Sequence, residues 1–169
     1  MEKKLCRLQE PYPEITCNGK NPNDVRLLCL LYSGTASELS AILQYSYQHM
    51  VLECKCNDVS DTIMDIAIVE MMHLELLGDA ICKLGGNPRY VNNNINNWWN
   101  ASAVCYDDTL CKAIKRNIED EHAAHKVYLE TAEKVSNPSV CALLKRIAKD
   151  EKLHLEIFKA IYDTHCKCR

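Results

Sequence analysis

Four glutamates and two histidines in this sequence have the residue types and the spacing of metal ligands on helices. Two glutamates are each followed three residues later by a histidine, in Glu70-Met71-Met72-His73 and in Glu151-Lys152-Leu153-His154. The other two, Glu38 and Glu121, stand alone. Residues i and i+3 of a helix share one face, so a Glu-x-x-His pair can reach one metal ion or a bridged pair of ions.

The pattern occurs twice in the chain, each time with a tyrosine. Tyr45 follows Glu38 by seven residues, and Tyr128 follows Glu121 by the same interval. The lone glutamates are 83 residues apart (121 minus 38), and the Glu-x-x-His pairs are 81 apart (151 minus 70). Each tyrosine lies two turns along the face of its glutamate, where it can hydrogen-bond a ligand carboxylate. We therefore expect both tyrosines to serve catalysis.

Each predicted helix carries an apolar stripe that one of these glutamates interrupts near its middle. Four carboxylates in one core repel one another and are costly to desolvate, and no lysine or arginine lies on the stripes. Two divalent ions would balance the four carboxylates, and two neutral histidines would complete the coordination. Because Glu and His ligands serve both metals, iron and manganese remain alternatives. The expected metal ligands are Glu38, Glu70, His73, Glu121, Glu151 and His154.

The elements that position these residues are predicted to be four helices, in an all-α fold. The five glycines and five prolines fall at joints between long stretches of helix-forming residues. The first helix is predicted over residues 23–53, with Asn23 or Asp24 as its N-cap. The second runs from about residue 58 to the stop at 85–88. The third and fourth follow Asp107-Asp108 and Pro138, and the fourth fades near residue 162.

The joint between the second and third helices is a 24-residue connection, residues 85–108. A loop of this length in a compact domain needs a reason, and it is long enough to cross the whole bundle. We therefore predict parallel second and third helices and an up-down-down-up order. The expected organisation is an extended segment over residues 1–22, a four-helix bundle over 23–165 and a tail over 166–169.

Over residues 23–165 the sequence resembles the ferritin-like superfamily, whose di-iron and di-manganese members carry this arrangement of glutamates and histidines. Gly34-Thr35-Ala36-Ser37-Glu38-Leu39-Ser40-Ala41 through Tyr45, with Glu70-Met71-Met72-His73-Leu74-Glu75, looks most like manganese catalases of the spore-coat type, and Tyr12-Pro13 agrees with that. The third and fourth helices, including Lys149-Asp150-Glu151, are also similar to rubrerythrins and bacterioferritins.

This resemblance implies a role for each ligand. Glu38 with His73, and Glu121 with His154, would be terminal ligands of the two metals, and the glutamate of each Glu-x-x-His pair would bridge them. Rubrerythrins carry a further glutamate where this chain has Ile118, and they usually carry a rubredoxin module. Because Ile118 replaces that glutamate we expect no ligand shift, and because no Cys-x-x-Cys occurs here we expect no built-in electron donor.

Charge and hydropathy exclude other classes of partner. The net charge of -3 and pI of about 6.1 give no basic field for nucleic acid or anionic lipid. The longest apolar run, Leu27 to Tyr32, is too short to span a bilayer, and the N-terminus has charges where a signal peptide needs apolar residues. We expect a cytoplasmic homo-oligomer with no nucleic-acid or membrane partner.

The eleven cysteines are interpreted as reduced thiols, because their number is odd and no export signal is present. The predicted order brings Cys54/Cys56 near Cys166/Cys168. This group would be a thiolate metal site, a redox relay or merely exposed thiols.

Weaker signals have two readings each. His125 is either a hydrogen-bond partner of the cluster or an ordinary partly buried histidine. Met71 resembles the haem-binding methionine of bacterioferritins, but we interpret it as a packing residue and expect no haem. The pair Trp98-Trp99 would anchor the long connection or form an oligomer contact.

The predicted function is a di-metal oxidoreductase that acts on hydrogen peroxide or dioxygen. Manganese would give peroxide disproportionation, and iron would give a peroxidase or ferroxidase that needs an external electron donor. The alternative is a ferroxidase or iron-storage protein with little peroxide turnover. A purely structural bundle would need four protonated inward glutamates and leaves the repeated pattern unexplained.

Overall fold

The computed structural model describes residues 6–17, 19–94 and 97–167. This part of the chain forms a bundle of four helical arms, the first of which consists of two helices. The prediction of an all-α four-helix bundle is therefore confirmed. The helices are α1 Pro22–Ser33, α2 Glu38–Leu52, α3 Asn57–Lys83, α4 Leu110–Ala132 and α5 Pro138–His165.

Asparagine caps begin the first and last helices. Asn21 caps α1 by accepting a hydrogen bond from the amide of Asp24 at 3.1 Å. The expected caps, Asn23 and Asp24, were wrong because both lie inside the helix. Asn137 caps α5 by accepting from two amides of the first turn. A proline follows each cap, at a position where its missing N–H breaks no helical hydrogen bond.

The first arm is interrupted, so the prediction of one helix over residues 23–53 was wrong near its middle. Gly34 leaves the helix in an extended conformation, and a Cβ there would lie 2.5 Å from the carbonyl oxygen of Leu30. Ser37 then caps α2 by accepting a hydrogen bond from a backbone amide of the first turn. The break places Glu38 at the first position of α2.

Two clusters of buried apolar residues show how the arms run. One cluster joins α1 to the ends of α3 and α4 and the first half of α5. The other joins the end of α2 to the starts of α3 and α4 and the end of α5. Helices α3 and α4 therefore run in the same direction, which confirms the up-down-down-up order. The clusters include Leu28, Ile81, Ala132 and Leu143 at one end, and Leu52, Ile63, Ile114 and Phe158 at the other.

The connection between α3 and α4 contains a short hairpin, in which Val91–Asn94 pairs antiparallel with Asn97–Trp98, and a 3-10 turn at Ala101–Ala103. The Trp99 indole donates a hydrogen bond to Ser40 Oγ at 2.9 Å and anchors the connection to α2. Trp98 is 59% exposed. The oligomer contact at this pair stays a prediction.

Two cysteines, one at the start of α4 and one directly after α5, correct the expectation of eleven reduced thiols. Cys111 and Cys166 form a disulfide, because the antiparallel pairing of the two helices brings them together. Cys56 and Cys111 line the same cavity, so Cys56 lies near the disulfide that contains Cys166. Cys54 is exposed, and Cys168 lies outside the described residues.

One stretch, Pro22–Leu52, has the length and mean hydropathy of a membrane-spanning helix. It comprises α1, α2 and the break between them, and half of its most apolar part is buried inside the protein. A core helix of a bundle has the same composition.

Candidate metal centre

The six predicted ligands come together between the two apolar clusters. Each arm contributes a glutamate, and α3 and α5 add a histidine one turn further along. None of the six is more than 4% exposed. They are Glu38 on α2, Glu70 and His73 on α3, Glu121 on α4, and Glu151 and His154 on α5.

These side chains form two overlapping groups, each compact enough for a metal ion. The first is Glu38, Glu70, His73 and Glu151, and the second is Glu70, Glu121, Glu151 and His154. Within each group, one possible ligand atom from every residue lies within 4.8 Å of the others. The glutamates of the two Glu-x-x-His pairs belong to both groups. This sharing is the geometry that a pair of bridged ions requires.

The two tyrosines reach across the bundle to the opposite half. Tyr45 of α2 donates a hydrogen bond to Glu121 Oε1 at 2.5 Å, and Tyr128 of α4 donates to Glu38 Oε1. Burial raises the pKa of both tyrosines well above its ordinary value, and the neighbouring glutamates raise it further. Each hydroxyl therefore stays protonated and fixes one carboxylate.

Several polar atoms of the cluster have no hydrogen-bond partner within the described residues. Three glutamate oxygens and one histidine nitrogen are in this state: Glu70 Oε1, Glu121 Oε2, Glu151 Oε1 and His154 Nδ1. His154 Nδ1 lies 2.8 Å from Glu70 Oε1 without hydrogen-bond geometry. No ion pair in the described part of the chain joins the four glutamates to a lysine or arginine. Orphaned buried oxygen and nitrogen donors are what divalent cations bind, so the residues fit a di-metal site.

Burial and mutual contact shift the pKa values of the glutamates and histidines in this cluster. Burial, followed by the charge of Glu70, raises the pKa of Glu38 to about 8. Burial also raises the pKa of Glu151 well above the ordinary value. Burial opposes ionisation of Glu70 as well, but His154 and His73 outweigh it and lower its pKa. The surrounding carboxylates likewise overcome burial and raise the pKa of both histidines.

The outer nitrogens of the two histidines meet different partners. His73 Nε2 lies 3.3 Å from Asp150 Oδ2, whereas His154 Nε2 lies 2.8 Å from the carbonyl oxygen of Cys6. Asp150 and Arg146 were not predicted as functional residues. Arg146 is 2% exposed and pairs with Asp150 at 2.8 Å. Their i, i+4 spacing on α5 was the available signal.

The secondary candidates lie away from the cluster. His125 Nδ1 lies 2.7 Å from the carbonyl oxygen of Ala148, so this histidine contacts the α5 backbone instead of a ligand. Met71 is 43% exposed on α3.

A cavity of about 180 Å³ lies between α2 and α4 and borders the cluster. Three ligand glutamates and both tyrosines line it, together with small residues such as Ala41 and Ala124. A water molecule occupies about 30 Å³ of liquid volume, so the cavity has room for a substrate the size of peroxide or dioxygen.

Comparison with known proteins gives a family match and several structures of similar fold. The rubrerythrin family model matches residues 30–162. Among solved structures, the chain is similar to the manganese catalase KatB of Anabaena, with a TM-score of 0.82, 24% identity, and coverage of 94% of this chain and 79% of that one. No curated protein matches the chain.

Bacterioferritins share the fold as well. The Mycobacterium tuberculosis bacterioferritin BfrA has a TM-score of 0.71 at 20% identity, covering 86% of this chain and 87% of its own. The Desulfovibrio desulfuricans bacterioferritin, which has a di-iron site, has a TM-score of 0.69 at 24% identity, covering 87% and 86%. The predicted ferritin-like fold is confirmed.

Proposed function

From the premise that the chain belongs to the rubrerythrin family, we propose that it is a di-metal carboxylate oxidoreductase that acts on hydrogen peroxide or dioxygen. One observation carries this proposal: two buried ligand groups share Glu70 and Glu151, and Glu151 lines a cavity together with Glu38 and Glu121. The manganese catalase and bacterioferritin neighbours support it at the level of the fold.

Each residue has a defined task in this function. Glu38 with His73, and Glu121 with His154, would hold one ion each, and Glu70 and Glu151 belong to both ligand groups. Bound iron or manganese ions would accept electrons from, and donate electrons to, peroxide or dioxygen. The hydroxyls of the two tyrosines hold the lone glutamates in place and keep their protons. The cavity between α2 and α4 admits the substrate to the carboxylate side of the centre.

The metal decides which reaction follows. With manganese, the expected reaction converts two hydrogen peroxide molecules to dioxygen and two water molecules without a reductant. With iron, an external electron donor is needed, since the chain has no Cys-x-x-Cys motif for a rubredoxin-type donor. A homo-oligomeric, cytoplasmic protein is part of this proposal.

The second candidate is a ferroxidase or iron-storage protein with little peroxide turnover. Its support is the bacterioferritin fold of the chain. Uptake of many iron ions per chain into a large assembly, measured by sedimentation and elemental analysis, would favour it over the oxidoreductase.

The test is peroxide turnover by protein loaded separately with Mn²⁺ and Fe²⁺, with and without a reductant. Glu70→Gln should abolish turnover, because it removes a carboxylate from both ligand groups. Glu75→Gln, an exposed change on the same helix, is the matched control and should leave turnover unchanged. Turnover that survives Glu70→Gln would refute the assignment.

A further inference from the structure

The segment over residues 6–12, here called the strap, crosses α5 on the side of the histidines. At one end, the carbonyl oxygen of Cys6 lies 2.8 Å from Nε2 of His154. Cys6 is 3% exposed and His154 is fully buried. The strap therefore closes the outer side of this histidine.

At its other end, the strap fixes the partner of the second histidine. The Tyr12 hydroxyl donates to Asp150 Oδ2 at 2.6 Å and lies 3.4 Å from His73 Nε2. The Leu8 amide donates to Asp150 Oδ1 at 2.8 Å. Asp150 is thus held by two strap residues while it faces His73 Nε2 at 3.3 Å.

Arg146 fastens the strap to α5. Its Nε donates to the carbonyl oxygen of Glu10 at 2.8 Å, and its Nη2 donates to that of Leu8 at 2.9 Å. Its guanidinium carbon lies 4.4 Å from the centre of the Tyr12 ring, a cation–π contact. Nη1 of the same group lies 2.8 Å from Asp150 Oδ2. A single buried side chain thereby joins the strap to the carboxylate behind His73.

These contacts decide which nitrogen of each histidine carries its proton. A backbone carbonyl oxygen can only accept, so the Cys6 contact requires a proton on His154 Nε2 and leaves Nδ1 to face the glutamates. The Asp150 carboxylate acts in the same way on His73. A carbonyl or carboxylate oxygen that accepts from the outer nitrogen fixes the orientation of a metal-binding histidine and raises its affinity for metal.

We propose that the strap is a positioning element of the metal centre, which holds both histidines with Nδ1 directed inward and closes the α3/α5 side against metal loss. This inference rests on the proposed di-metal centre. It assigns the two sides of the site different tasks: substrate enters by the cavity between α2 and α4, and the strap retains the ions on the other side.

The test measures metal release from the full chain. Protein loaded with Mn²⁺ is mixed with excess EDTA, and the remaining manganese is followed by elemental mass spectrometry. Deletion of residues 2–8 removes the Cys6 carbonyl and should speed release about 10–100-fold. Tyr12→Phe should speed it about threefold, the effect of one lost hydrogen bond. Glu14→Gln changes an exposed side chain just beyond the strap, and it should release manganese like the wild type.

A second readout reports the histidines directly. In ¹⁵N NMR of the Zn²⁺-loaded wild type, both ligand histidines should carry the proton on Nε2. The deletion should abolish that fixed state for His154. Wild-type release rates in the folded deletion variant, or in Tyr12→Phe if the deletion does not fold, would overturn the proposed role of the strap. A wild type that takes up no metal would instead overturn the proposed function on which the strap depends.

Discussion

The two halves of the site carry the same candidate ligands but differ in the group behind each histidine, here called its support. The α2/α3 half and the α4/α5 half each provide two glutamates and a histidine, and each receives a tyrosine from the other. They differ at the residue before the Glu-x-x-His pair, which is Val69 in one half and Asp150 in the other. Asp150 faces the histidine of the opposite half. The Val69 side chain has no polar atom that could contact His154, and the carbonyl oxygen of Cys6 lies beside Nε2 of this histidine instead.

The repeated sequence pattern therefore specifies the candidate ligands, but it does not specify the groups that lie behind the two histidines. A carboxylate behind a histidine makes the ring a stronger ligand than a neutral carbonyl does. We therefore expect the two ions to be held unequally, with tighter binding beside His73. Variants of the two halves test that asymmetry.

The largest effect is expected when a histidine ligand is removed. His73→Ala should lower the affinity for the ion beside residue 73 by more than about 100-fold, because it removes a ligand together with its carboxylate support. His154→Ala should weaken the other ion by a smaller factor. Isothermal titration with Mn²⁺ checks both, and equal losses in the two variants would contradict the unequal halves.

A smaller effect should follow when the support is removed but the ligand remains. Asp150→Asn keeps the shape of the side chain and removes its charge, and we expect 10–100-fold weaker binding of the ion beside His73. Val69→Ala is the corresponding change in the other half and should leave metal affinity nearly unchanged. The same titration detects both, and a Val69→Ala effect as large as that of Asp150→Asn would remove the distinction between the halves.

The tyrosines should behave alike, because their contacts are symmetric. Tyr45→Phe and Tyr128→Phe each remove one buried hydrogen bond to a glutamate, at a cost of about 1.5 kcal/mol in the free energy of unfolding. Urea unfolding of the metal-free variants measures it. Values that differ by more than about 1 kcal/mol would show that the asymmetry extends to this pair.

The smallest effect concerns pH. Burial opposes ionisation of Asp150, but contacts from His73, Leu8, Tyr12 and Arg146 outweigh it and lower its pKa. A carboxyl group with a lowered pKa in the folded state stabilises the protein above its unfolded pKa of about 3.9, and this contribution is lost as the pH falls further. The stability difference between metal-free wild type and Asp150→Asn should therefore shrink below about pH 4. Urea unfolding at pH 7, 5, 4 and 3 checks this, and a constant difference would contradict it.

The grouping of the six candidate ligands and the two tyrosines was predictable because helix periodicity places residues i, i+3 and i+7 on one face. The capping asparagine and the break at Gly34 were missed, since Gly34-Thr35-Ala36-Ser37 is short and lies within a strong helical pattern. The supports of the histidines could not be predicted, because they are tertiary contacts. The carbonyl of Cys6 and His154 are 148 residues apart in sequence. The Cys111–Cys166 disulfide joins helix ends whose approach depends on the packed bundle.

We propose above all that the six buried candidate ligands hold two metal ions. The most direct measurement is the metal content per chain, by elemental mass spectrometry, of protein purified without chelator or oxygen. We predict about two iron or manganese ions per chain, absent from Glu70→Ala/Glu151→Ala and retained in the control Glu75→Ala/Glu156→Ala, whose glutamates are exposed. A folded wild type that contains no metal and takes up none when Mn²⁺ or Fe²⁺ is added would contradict the claim.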